Sequence, residues 1–189
     1  MTHSNNVSFP RVLIITGAMA AGKSSVAQGV AERLEKAVHL RGDLFRRMIV
    51  TGQVEPTPDR LSDWKRQLDL RFELAWASAD RYAREGFTVI YQDILNGALS
   101  AAVRALAAWK PGAVVLCPSA EVLSAREAGR PKTGYKGGWT PEGFDALVRA
   151  ETPNIGLWLD TSAMSVTQTV DFILAHPEAT RRGLQETSA

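Results

Sequence analysis

The sequence predicts an α/β fold, a parallel sheet of five strands with helices on both faces in a three-layer sandwich. Three observations carry it. Short apolar runs alternate with segments of helical period along almost the whole chain. The first run enters a glycine-containing turn followed directly by a helix. Charged and amide residues stand just after several of the runs, at the strand ends where parallel sheets bind ligands.

Val12 to Ile15 is unbroken and apolar, as a strand buried on both faces must be. Gly17, four residues, then Gly22, Lys23 and Ser24 follow, which is the phosphate-binding P-loop spelling. Val26, Val30 and Leu34 continue at helical spacing. Ala37 to Leu40 is strand two, and Asp43 stands at the start of a short helix carrying Leu44, Phe45, Met48 and Ile49. Thr51 to Asp59, with Gly52, Pro56 and Pro58, is a loop. Leu61 to Arg84 is a long helix with Trp64, Leu68, Phe72, Trp76 and Ala79 on one stripe, ended by Gly86. Thr88 to Tyr91 is strand three, followed by Gln92 and Asp93. A helix from Ala98 to Trp109 stops at Pro111-Gly112, and Ala113 to Cys117 is strand four. Ala120 to Ala128 is helical. Gly129 to Thr140 mixes four glycines with Arg130, Lys132 and Lys136 and reads as a mobile basic loop. Pro141 opens a helix to Glu151. Ile155 to Leu159 is strand five, and Val166 to Ala175 is the last helix, with Val166, Val170, Ile173 and Leu174 inward. The expected organisation is one domain over residues 10–176 with a basic lid at about 126–140. Flexible tails are expected at 1–9 and 177–189.

With 189 residues, 45% hydrophobic and 22% charged, the chain can bury a sizeable core. A net charge of +2 is too small to argue for nucleic acid or a membrane surface as partner. Cys117 is the one cysteine, so no internal disulfide forms, and the polar start leads to no membrane-length apolar run. The expectation is a soluble cytoplasmic protein. His3, His39 and His176 lack metal-ligand spacing, so no zinc site is expected.

The P-loop spelling has a physical cause. Phosphates must lie against bare backbone N–H groups at a helix N-terminus, so nearby side chains must be small. Gly17, Ala18, Met19, Ala20, Ala21, Gly22, Lys23, Ser24 and Ser25 are therefore the expected contacts to ATP. Lys23 would bridge the β- and γ-phosphates, and the Ser24 hydroxyl would ligate Mg²⁺. Asp43, across the cleft, is either a base accepting the proton of an attacking hydroxyl or a plain helix cap. Arg46 and Arg47 either hold a polar or acidic acceptor or are solvated. Asp93 would hold Mg²⁺ through water or orient the acceptor with Gln92; its alternative is a cap. Arg126 and Arg130, four apart, suit the oxygens of a transferring phosphate, and a hinged loop around them would exclude water. Their alternative is a solvated helix end. Trp139 in the loop is a candidate contact to an apolar substrate.

These pieces together resemble the small P-loop kinases of the chloramphenicol phosphotransferase type, and more distantly adenylate, gluconate and shikimate kinases. The resemblance runs from Arg11 to Ala175. It rests on Gly17 to Ser24, Gly42-Asp43, Asp93, Arg126 and Arg130, and Leu157-Trp158-Leu159-Asp160. It implies a P-loop NTPase sheet in the order 2-3-1-4-5 and transfer of the ATP γ-phosphate to a hydroxyl. Asp43 is then the base, Arg126 and Arg130 are lid arginines, and Thr161 and Ser162 border adenine. One position departs: strand three ends Gln92-Asp93, where the chloramphenicol enzyme has two acidic residues.

The leading expectation is an ATP-dependent kinase of a small-molecule alcohol, with antibiotics and related natural products among the acceptors. A nucleoside or nucleotide kinase comes second and a 5′-hydroxyl polynucleotide kinase third. The last lacks the aromatic-plus-basic strip that binds single strands. A non-catalytic ATP sensor is the reading from another class. No Asn-Lys-x-Asp guanine motif occurs.

Overall fold

The computed structural model describes residues 8–129, 135 and 139–184. Strands β1 (Val12–Gly17), β2 (Ala37–Arg41), β3 (Thr88–Gln92), β4 (Gly112–Leu116) and β5 (Leu157–Leu159) form one sheet. All neighbours are parallel, in the order β2-β3-β1-β4-β5 that the resemblance implies. Register brings Ile15 and Arg41 beside Gln92, and Gly17 beside Leu116. Residues from four strands thus reach one edge together.

Alternation along the strands divides the core. Val12, Ile14, Val89, Tyr91 and Val115 face α3 (Leu61–Arg84) and α4 (Leu99–Ala105), meeting Phe72, Ala75, Ala79, Leu99 and Val103. Leu13, Ile15, Ile90, Val114 and Leu116 face the other way. They meet Val26 and Val30 of α1 (Lys23–Glu32), Leu123 of α5 (Ala120–Ala128) and Val148 of α6 (Pro141–Glu151). Val170 and Ile173 of α7 (Val166–Ala175) close the same layer. Each fully buried Leu or Ile contributes about 1.5–3 kcal/mol, so this two-sided burial is the main source of stability.

Side chains cap the last three α-helices. Thr140 accepts from Gly143 N–H at 3.1 Å, with Pro141 next. Ser165 and Gln168 form a reciprocal capping box at α7, with bonds of 3.1 and 2.8 Å. Ser165→Ala is expected to lower stability by about 1 kcal/mol, read as a lower urea midpoint at unchanged slope.

Several expectations are corrected. The helix from Ala98 divides at Leu106 into α4 and a 3-10 turn over Ala107–Trp109, and left-handed Lys110 (φ 46°) leads into β4 one residue early. Strand five begins at Leu157, not Ile155, after a turn at Gly156. Val166 is the first residue of α7 and stands exposed, while Thr169 takes the inward position. Trp64 joins neither core layer; the α3 stripe begins at Leu68. The segment after His176 is not loose as far as it is described. Thr180 is fully buried, Leu184 joins the α3 layer, and Gly156 N–H donates to Arg182 O at 2.7 Å. Nor is residue 9 a free tail, since Phe9 packs on the α1 layer.

Candidate active site

The turn between β1 and α1 is built around two glycines. Gly17 lies at φ 141°, and a Cβ there would overlap the Leu116 carbonyl of β4. Gly22, at φ 92°, is the N-cap of α1. Ala20 between them is also left-handed, at φ 63°, which costs a non-glycine residue about 1–2 kcal/mol. Turns of this kind direct successive N–H groups into an anion-binding concavity. Ala18 and Ala21 are buried beneath it, while Met19, Ala20, Gly22, Lys23, Ser24 and Ser25 line a cleft of about 470 Å³.

Lys23 Nζ donates to Gly17 O at 3.0 Å and to Ala18 O at 2.6 Å, so the ammonium spans the loop. Ser24 Oγ donates to the buried Gln92 Oε1 at 2.9 Å. Arg126 reaches back from α5 to donate to Ala21 O at 3.4 Å and Thr161 O at 3.1 Å. Tyr135 Oη donates to Met19 O at 2.8 Å. Thr161 is buried, and its hydroxyl has no partner among the described residues. Ser162 is turned to Asp160, giving it backbone and hydroxyl bonds of 2.8 and 2.5 Å that hold the Asp160 carboxyl below its ordinary range. Arg130 and most of the basic loop lie outside the described residues. Trp139 is half-exposed, edge-on to Phe144, and does not line the cleft.

The opposite wall comes from β2, α2 (Asp43–Arg47) and α3. Asp43 is the first helical residue after the cap Gly42 and makes no capping bond. Its Oδ2 pairs with Arg47 at 2.5 Å, and Arg41 Nε stands 3.7 Å from its Oδ1. That Oδ1 is enclosed and accepts no hydrogen bond. Arg46 turns away from the cleft. It donates to Val54 O at 2.9 Å and Glu55 Oε1 at 3.0 Å, tying down the loop before α3.

Asp93 reaches the cleft floor, yet its carboxylate is already engaged. Oδ2 accepts from Arg71 Nε at 3.0 Å and from Tyr91 Oη at 3.3 Å. Oδ1 pairs with Arg71 Nη2 and accepts from Ile94 N–H at 2.7 Å. Burial pushes the Tyr91 phenol up, which keeps it a donor. Gln92, one residue earlier, is therefore the group that meets Ser24. Arg71 and Arg41 line the cleft and were not among the sequence candidates. The signal for Arg71 was a charge on the margin of the α3 stripe, three residues past Leu68 and four before Ala75.

Gly42 packs directly on this cluster. A Cβ there would overlap the Asp93 carboxylate, which Arg71 prevents from moving. Gly42→Ala is expected to cost about 1–3 kcal/mol, read as a lower melting temperature.

A magnesium ion takes oxygen ligands and usually keeps several waters, binding through few protein groups and the substrate phosphates. Ser24 Oγ and Gln92 Oε1 fit that donor set. Among the described residues no three His, Cys, Asp or Glu gather as a metal-ligand group. No helix among them is long and apolar enough to cross a membrane.

Comparison with known proteins agrees with this fold. The chain is 34% identical over 102 residues to a UPF0200 protein of Aeropyrum pernix, covering 52% of this chain and 54% of that one. It thus spans about half the length of that curated relative. Its fold is similar to the Deinococcus radiodurans tunicamycin resistance protein, with TM-score 0.63 and 16% identity over 93% of this chain and 99% of that one. It is also similar to a gluconokinase from Sinorhizobium meliloti 1021, with TM-score 0.57 and 17% identity over 96% and 99% of the two chains. These likenesses establish the fold of the small P-loop kinases. A family model described as an AAA domain matches residues 12–143, from β1 into α6, and by that match the chain belongs to the AAA domain family of P-loop proteins.

Proposed function

We propose that this protein is an ATP-dependent phosphotransferase that moves the γ-phosphate of ATP onto a hydroxyl of a small molecule. The observation that carries it is Asp43 Oδ1, an enclosed carboxylate oxygen without a hydrogen bond, on the same cleft as Lys23 and Ser24. An acceptor hydroxyl there would give its proton to Asp43 as its oxygen bonds the γ-phosphorus and the bond to the β-phosphate oxygen breaks. Lys23 and Arg126 would hold the phosphate charge in transit, and Arg130 would join them from the basic loop. Thr161 and Ser162 would border the base. Magnesium, when bound beside Ser24, would neutralise charge on the β- and γ-phosphate oxygens; Asp93 would act on it only through Gln92 or water.

The test is transfer from γ-labelled ATP with magnesium to pooled hydroxylated antibiotics, sugars and sugar acids, nucleosides, nucleoside monophosphates and 5′-hydroxyl oligonucleotides. Labelled product in one small-molecule pool supports the reading and names the acceptor class. ATP binding with no labelled product in any pool would favour a sensor instead.

A further inference from the structure

We infer that the acceptor carries an oxyanion group, a carboxylate or a phosphate, on the same molecule as its hydroxyl, and that Arg71 and Arg41 bind it. The inference rests on the phosphotransferase reading and adds the acceptor's charge.

The cations of the cleft fall into two sets. Lys23 and Arg126 are bonded to P-loop carbonyls, at the donor end. Arg41, Arg47 and Arg71 stand at the other end around Asp43 and Asp93, so three guanidinium groups face two carboxylates. Arg47 is matched to Asp43 and Arg71 to Asp93, which leaves one positive charge in excess.

Donor counting gives the same result. A guanidinium has five N–H donors in a planar fork. Asp93 takes Arg71 through Nε and Nη2 only, so three donors remain on a side chain that is 13% exposed and lines the cleft. Arg41 Nε is enclosed and has no hydrogen-bond partner. A neutral alcohol would satisfy Asp43 and leave these donors unmatched. A planar or tetrahedral oxyanion beside the hydroxyl would take a forked pair from Arg71 and another bond from Arg41. Asp93 and Tyr91 then serve as positioning residues, holding Arg71 at a fixed angle from the floor of the cleft.

The experiment has two arms. In the first, the protein is loaded with magnesium and a non-hydrolysable ATP analogue to fill the donor end. Inorganic phosphate and acetate are then titrated in by calorimetry. At least one should bind, with affinity falling about 100-fold in Arg71→Gln and about 10-fold in Arg41→Gln. Phosphate binding alone points to a phosphorylated acceptor, and acetate binding to a hydroxy acid. Arg41 is 39% exposed, so its variant keeps the test valid if Arg71→Gln fails to fold around an unpaired Asp93. Binding of neither ion, or equal binding by wild type and variants, overturns the inference.

In the second arm, transfer is compared within pairs: glycerol against glycerate and glycerol 3-phosphate, glucose against gluconate, adenosine against its monophosphate. The charged member should lead by about 100-fold in kcat/KM, and Arg71→Gln should narrow that lead through KM. Equal or better transfer to the neutral members overturns the inference and leaves the phosphotransferase reading standing. Anion binding in the first arm with no transfer in the second does the reverse.

Discussion

Lys23→Ala is expected to lower γ-phosphate transfer by about 10²–10³-fold, the usual cost of removing one fixed charge that meets the transferring group. The ammonium is held by the Gly17 and Ala18 carbonyls in a loop whose conformation is set by neighbouring residues. Its removal should therefore leave the fold nearly intact. The left-handed turns at Ala20 and Gly22 and the tight contact of Gly17 on β4 do not depend on it. Single-turnover assays with labelled ATP, run beside a melting curve, separate the two effects. Transfer at the wild-type rate would remove Lys23 from the mechanism and with it the phosphotransferase assignment.

Asp43→Asn should lower kcat by about 10²–10⁴-fold while the ATP dissociation constant changes by no more than a few-fold. The substitution keeps the shape and removes the proton acceptor. A cap reading predicts the opposite pattern, lost stability with turnover preserved. The structure already bears on that contrast: Gly42 is the cap, and Asp43 makes no bond to the helix N–H groups. What Asn would forfeit in stability is the pairing with Arg47 and the favourable placement in a first helical turn, about 0.5 kcal/mol together. A variant that turns over normally and merely melts earlier would return Asp43 to a structural role.

The elements most legible in the sequence were those with strong period and punctuation. The bounds of α3, α5, α6 and α7 agree with the readings made from apolar stripes, Gly86 and Pro141. The P-loop was legible because phosphate binding constrains backbone shape, which leaves its mark as glycine and alanine at fixed offsets. Arg71 was not. A single arginine in a helix that also carries Lys65, Arg66 and Arg81 looks solvated, and only Asp93, 22 residues on, makes it part of the cleft. Arg46 erred in the opposite direction: it stood as a candidate to hold the acceptor, but the Val54 carbonyl and Glu55 engage it instead. The segment after His176 misled through composition. Thr180 is polar, yet it packs onto the bare Cα of Gly112, a contact that no local pattern encodes.

That last contact has a consequence for how the molecule opens. Pro10 and Thr180 both press on Gly112, and Arg181 donates to Ser8 O at 3.0 Å, so the first and last described stretches clasp each other at the base of β4. Each is held by contacts that the other completes, which makes them one cooperative unit of local unfolding: freeing either stretch exposes the partner as well. The sheet is thereby fastened at the end away from the P-loop. Motions that admit and release a nucleotide can then take place at the opposite rim without being transmitted as fraying of the central strands.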